Sequence, residues 1–199
     1  FNIFILSGLN YFSNYKNNLT KKLKVKVEFT EKPKLFNDSL VNKLLTQKLG
    51  PKFNLIKDSL DVNMLENQLK TIPELENVEI GIAPEGKLVF QLTERKPLFI
   101  VIGDNHFYSD ANGVLFPFKK FDSISFPKFS NSSNSLSLKT TAGLIDKLYE
   151  DSFLSREIEL IYAVDNQYIL ELKTYSFQVI LGKPNHINEK IKKLKVFCA

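Results

Sequence analysis

Between Leu23 and Glu94 the apolar repeat changes from two to helical and back to two, and that order constrains the fold more than any other feature. Successive side chains on a strand alternate between faces, whereas on a helix residues three and four apart share one. Leu23, Val25, Val27 and Phe29 alternate with Lys24, Lys26 and Glu28, which predicts a half-buried strand, stopped by Pro33. Asn37 or Asp38 then caps a predicted helix with Leu40, Val41, Leu44, Leu45 and Leu49 on one face, closed by Gly50-Pro51. Asp61 caps a second helix with Val62, Leu65, Leu69 and Ile72 in register, and Pro73 ends it. Val78, Ile80 and Ile82, a Pro84-Glu85-Gly86-Lys87 turn, and Leu88, Phe90 and Leu92 then read as a hairpin. A three-stranded sheet with two helices on one face buries all of these stripes together.

From Pro97 the pattern shifts to short strands and tight turns. Phe99 to Ile102, a Gly103-Asp104-Asn105 turn, His106 to Ser109 and the Asp110-Ala111-Asn112-Gly113 turn read as a meander. The polar run from Ser130 to Ser135 reads as a loop. A helix is expected from Ala142 to Tyr149, with Leu144, Ile145 and Leu148 inward, then strands near Ile158–Val164, Tyr168–Lys173 and Phe177–Leu181. A last helix places Ile187, Ile191, Leu194 and Phe197 on one stripe and most of its lysines outside. No internal repeat is visible, and the expected class is α+β.

Composition narrows the function. The chain has 199 residues, 43% hydrophobic and 25% charged, which fits a folded chain rather than a disordered one. Its net charge of +5 is spread along the chain and does not interleave with a nucleic-acid motif. Cys198 is the single cysteine, so neither an internal disulfide nor a cysteine-based zinc site can form. The opening Phe1 to Phe12 is strongly apolar and ends in Tyr11 and Phe12, residues suited to a membrane interface. A helix of that length spans only about 18 Å of a ~30 Å hydrocarbon core. Residues 1–15 are therefore expected to be the outer end of a single spanning helix that starts before Phe1. Lys16, Lys21, Lys22, Lys24 and Lys26 follow it, an enrichment more usual on cytoplasmic flanks.

Catalytic patterns do not appear. There is no Gly-x-Ser-x-Gly, no glycine-rich phosphate loop before a helix and no His-Glu-x-x-His. His106 and His186 each lie beside turn residues and far apart in the chain. Glu157 and Glu159 are expected to share a solvated strand face, and Cys198 to be an inert thiol on the last helix. The expectation is a protein that is not an enzyme and uses no cofactor or metal. Exposed strand edges, which can accept another chain's strand, are the remaining chemistry.

The run from Leu69 and Ile72-Pro73 through Val78, Ile80, Ile82, Pro84, Gly86, Leu88, Phe90 and Leu92 to Glu94-Arg95-x-Pro97 resembles the polypeptide-transport-associated (POTRA) domain of the FtsQ/DivIB cell-division family. Phe107 to Phe116 is similar to the segment opening that family's second, β domain. Phe126-Pro127-Lys128-Phe129 and Leu181-Gly182 are similar to later family steps, and the low-Trp, Lys- and Asn-rich style resembles the Bacteroidetes branch. Two departures stand out: Glu74-Leu75 follows Pro73 where the family often has Trp-Val, and Ser130-Asn131 replaces a glycine.

The resemblance implies a POTRA domain over residues 24–95, with β-α-α-β-β order. It implies a mainly antiparallel β domain with flanking helices over 97–199, whose last strand lies beyond Ala199. It implies a single-pass inner-membrane protein with both domains periplasmic, acting as a divisome scaffold at the septum. Its partners would be the FtsB/FtsL (DivIC/FtsL) coiled-coil pair and other division proteins. The partner-binding residues expected are Phe177, Val179, Ile180 and Leu181 on an edge strand, Ile187, Ile191 and Leu194 on the last helix, and Val78 and Ile80 in the POTRA sheet. The competing reading is a POTRA-containing periplasmic module of an outer-membrane assembly or translocation machine.

Overall fold

Alternating apolar residues from three separate segments come into line in the first sheet of the computed structural model. The structure describes residues 24–37, 41, 43, 45, 61–83, 86–118, 125–131 and 136–198. The apolar opening of the chain lies outside them. Among the described residues no helix is long and apolar enough to cross a membrane. The chain divides between Glu94 and Arg95 into two units.

In the first unit β1 (Lys24–Phe29) runs parallel to β3 (Lys87–Glu94), and β2 (Leu75–Ala83) runs antiparallel to it, in the order β1-β3-β2. The register places Phe29, Leu92 and Val78 in one row, and Val27, Phe90 and Ile80 in the next. Leu88, Phe90, Leu92, Val78 and Ile80 are buried, together with Leu65, Leu69 and Ile72. The last row, Val25, Leu88 and Ile82, frays: Val25 is 46% and Ile82 42% exposed. Helix α1 (Val62–Leu69) starts where Asp61 accepts a hydrogen bond from the Met64 N–H at 2.9 Å, which satisfies one of the orphan donors at a helix start. It ends at Leu69, so Ile72 is buried in the turn beyond it. Of the expected first helix, Val41, Lys43 and Leu45 are helical and the rest lies outside the described residues, as do Pro84 and Glu85 of the hairpin turn.

Glu94 has a structural task. Its carboxylate accepts the backbone N–H groups of Lys34 at 2.7 Å, Phe36 at 2.9 Å and Leu35 between them. Three consecutive amides converging on one carboxylate fix the chain as it leaves β1.

The second unit holds a seven-stranded sheet. Its strands are β4 (Phe99–Ile102), β5 (Phe107–Ser109), β6 (Leu115–Pro117), β7 (Lys128–Asn131), β8 (Ile158–Val164), β9 (Gln167–Leu172) and β10 (Gln178–Gly182), in the order β10-β9-β8-β7-β4-β5-β6. The outer pairings are antiparallel, but β7 runs parallel to both β4 and β8. The sheet is therefore mainly antiparallel, with a parallel strand at its centre. A parallel neighbour requires a crossover, and α2 (Leu138–Glu150) with α3 (Leu154–Glu157) supplies one between β7 and β8.

Two expectations from the sequence fail at particular residues. Ser130 and Asn131 belong to β7 rather than to a loop, because two flanking strands supply the pairing that a polar sequence does not advertise. Glu157 closes α3 and so shares no strand face with Glu159; Glu159 instead pairs with Lys128 at 2.9 Å.

One face of the sheet packs beneath α2 and α4 (Ile187–Cys198). Phe99, Phe129, Ile161, Tyr168, Leu170 and Leu181 meet Ile145, Leu148, Ile191 and Leu194 in one core. Inside it the Tyr168 and Thr141 hydroxyls hydrogen-bond each other at 2.8 Å, so neither buried hydroxyl is orphaned.

Arg95, the neighbour of Glu94, forms an ion pair with Asp110, which is 4% exposed. The other Asp110 oxygen accepts the N–H groups of Asn112 at 2.9 Å and Val114 at 2.8 Å, shaping the turn into β6. Gly113 in that turn has a φ of 79°, and a Cβ there would lie 2.5 Å from the backbone nitrogen of Lys139 at the start of α2. Backbone conformation and lack of space both require glycine.

Candidate functional site

A sheet of seven strands has two edges, and in this unit they differ. At one end β6 is three residues long and includes Pro117, which has no N–H to offer. At the other end β10 has five residues, pairs only with β9, and leaves its outer side without a hydrogen-bond partner among the described residues. Ile180 on β10 is 72% exposed.

Helix α4 lies alongside this edge. Its stripe of Ile191 and Leu194 enters the core, and at about 100° per residue Lys190, Lys193 and Phe197 share one shoulder beside that stripe. That shoulder faces β10. An open groove of about 570 Å³ runs between them, lined by Phe177, Val179, Leu181, Leu194 and Phe197, with Lys190 and Lys193 above. Phe177 and Phe197 meet edge to face with centroids 5.1 Å apart. The Lys190 ammonium donates to the Lys183 carbonyl at 2.6 Å and to the Asn185 side-chain oxygen at 3.1 Å, at the opposite end of β10. The groove is thus aromatic at the Phe177 end and cationic at the Gly182 end.

On its other shoulder α4 is tied down. The Lys195 ammonium lies 2.8 Å from the Asp151 carboxylate, which also accepts the N–H groups of Phe153 at 3.0 Å and Leu154 at 3.1 Å. The hydrogen bond from Lys195 chiefly, with those two backbone bonds, holds the Asp151 carboxyl below its usual range. One residue therefore caps α3 and anchors the helix that forms the groove wall.

The structure gathers Phe177, Val179, Ile180, Leu181 and Leu194 from the expected set at this groove. Ile187 and Ile191 face the unit's own core instead, because the inward stripe of α4 covers the sheet. Phe197, expected on that stripe, is 71% exposed. Its position about 80° from the stripe's centre turns it to the groove, and the same helical arithmetic finds Lys190 and Lys193. Val78 and Ile80 are 1% and 8% exposed, buried beneath α1, so their side chains face the first unit's core rather than a partner.

Among the described residues no three His, Cys, Asp or Glu side chains converge to hold a metal. His106 packs edge-on against Phe118 with centroids 6.0 Å apart, and Cys198 is partly buried beside the core.

No curated protein matches the chain. A family model described as FtsQ/DivIB, C-terminal related, matches residues 96–199, which spans the whole of the seven-stranded sheet and all three of its helices. That match and the architecture beneath it place the chain in the FtsQ/DivIB C-terminal related family of cell-division proteins.

Proposed function

We propose that this protein is a non-enzymatic scaffold of the bacterial division machinery that works by strand addition at the β10 edge. The observation that carries the reading is the unpaired outer side of β10 beside a groove lined by apolar side chains, of which Ile180 and Phe197 are exposed. Large apolar residues are rarely left together on a surface unless something covers them. β10 and α4 form the platform on which a docking strand lies, and through it the protein engages a small coiled-coil membrane pair of the FtsB/FtsL (DivIC/FtsL) kind. The order β1, α1, β2, β3, with Val41, Lys43 and Leu45 helical between β1 and α1, supports reading residues 24–95 as a POTRA domain with a recruiting role. The apolar opening supports a single inner-membrane anchor, with both domains periplasmic and the protein at the septum.

The test is capture from envelope extract by the full-length protein, with hydrogen exchange read at β10. Capture of a small coiled-coil membrane protein, with every second β10 amide protected on binding, supports strand addition. Binding that leaves β10 exchange unchanged removes the platform, and retention of outer-membrane barrel precursors instead replaces the division reading.

A further inference from the structure

The first unit also has a sheet edge, and it is longer than the one at the groove. β2 has nine residues and pairs only with β3. Adjacent N–H groups on a strand point to opposite sides, so one set of alternate β2 amides faces away from β3. The Ile80 N–H belongs to that outward set, because it donates to a side chain rather than to β3: its acceptor is the Glu66 carboxylate on α1, at 2.9 Å. By the same alternation Val78 and Ile82 share its direction. Their N–H groups have no acceptor outside the sheet among the described residues.

We propose that Glu66 is a guard on the β2 edge, occupying the central outward amide so that this strand cannot pair with β2 of a second copy of the chain. An open edge of this length presents a ladder for edge-to-edge association, and proteins block such ladders with inward-reaching charges. Glu66 is placed to do so: its side chain is 23% exposed, and it reaches the edge from a helix already capped by Asp61. A carboxylate on a backbone amide is a charge-assisted bond, stronger than the amide-to-carbonyl bond that would replace it. Beyond the slip in pairing between Leu75 and Asn77 and the charges of Glu76 and Glu79, the strand does little to guard its own edge. Gly81 has open space where a Cβ would stand, Ile82 is 42% exposed, and neither proline nor lysine occurs in β2. A second copy is the fitting occupant because two β2 strands related by a two-fold axis through Ile80 set Glu79 opposite Gly81, not glutamate opposite glutamate.

The test compares Glu66→Ala with Glu66→Gln in the full-length protein, by sedimentation over a concentration series and by amide exchange at Ile80. Glu66→Gln keeps an acceptor oxygen and is expected to stay at the parent's association state with a slow Ile80 amide. Glu66→Ala is expected to raise the exchange rate of that amide about tenfold in dilute solution, where the loss of one hydrogen bond is exposed. It is further expected to associate as concentration rises, with protection returning along β2. Glu66→Ala with parent-like sedimentation at every concentration overturns the guard. Association in which β2 stays unprotected overturns the edge, and equal behaviour of both variants assigns the effect to charge rather than to the amide it covers.

Discussion

The β10 edge and the β2 edge are built from the same backbone groups and treated in opposite ways. β2 is the longer, yet its central outward amide is occupied by Glu66 and its apolar side chains Val78 and Ile80 turn into the core. β10 is shorter, has no such guard, and is bordered by a groove that leaves Ile180 and Phe197 in solvent. An edge left open beside apolar side chains costs solubility, and the proposed function assigns that cost at β10 to the receipt of a strand. Length of strand is therefore a poor guide to which edge binds; the neighbours of the edge decide.

The largest expected effect removes the fold under one edge only. Asp110→Ala removes the carboxylate that pairs with Arg95 and accepts the Asn112 and Val114 N–H groups, a change expected to cost about 2–4 kcal/mol. Denaturant unfolding with amide exchange should show the seven-stranded sheet weakened and the β2 amides unchanged; loss of both would mean that the two edges cannot be compared as independent. Next comes Phe197→Ala, which truncates an exposed groove wall. Partner binding is expected to fall by about 2 kcal/mol, roughly thirtyfold, as for a buried aromatic anchor, while stability moves by less than ~0.5 kcal/mol. Equal losses in binding and stability would make Phe197 a structural residue and not a site residue.

Asp151→Asn is a smaller change with a signature in pH. Asn keeps an acceptor for the Phe153 and Leu154 N–H groups, so the loss is the charged contact with Lys195, expected to cost about 0.2–1 kcal/mol at neutral pH. Because the Asp151 carboxyl is held below its usual range, its contribution is complete above the ordinary aspartate range. It fades as pH falls through the lowered value. Thermal melts of parent and variant should therefore converge in strong acid, and a gap that persists there would detach the effect from ionisation. The smallest effect belongs to Lys70→Ala. Lys70 lies 3.6 Å from Glu66 with its side chain 48% exposed, so its loss should shift stability by no more than ~0.5 kcal/mol. Ile80 exchange should not change. If it did, the guard would depend on the ion pair and not on its own hydrogen bond.

Much of the first sheet could be read from the chain because each strand carries its own alternation: Val78, Ile80, Leu88, Phe90 and Leu92 are buried as the period of two requires. The second unit was less legible at β7, where Ser130 and Asn131 become strand through neighbours distant in sequence. Glu157 was misplaced for a related reason: four residues of helix, Leu154–Glu157, are too few to show a period. Much of the candidate site was visible as an apolar edge strand beside an amphipathic helix. What the pattern hid was the direction of α4, since Phe197 fits an apolar stripe in one dimension and falls off it in three. The choice of edge was hidden as well, because Glu66 looks like any solvated helix carboxylate until the strand beneath it is known.

The pairing of β10 with β9 slips between Ile180 and Gly182, where Gly182 takes a φ of 72°. A bulge there ends the regular ladder, so only two or three residues of β10 can offer outward groups in sequence. An added strand then forms about four to six hydrogen bonds, each contributing ~0.5–1.5 kcal/mol at most and offset by the cost of ordering the incoming chain. The backbone alone would release its occupant quickly and favour none over another. If β10 receives a strand as proposed, residence time and selectivity come from the side chains along α4, and the joint can be taken apart and remade.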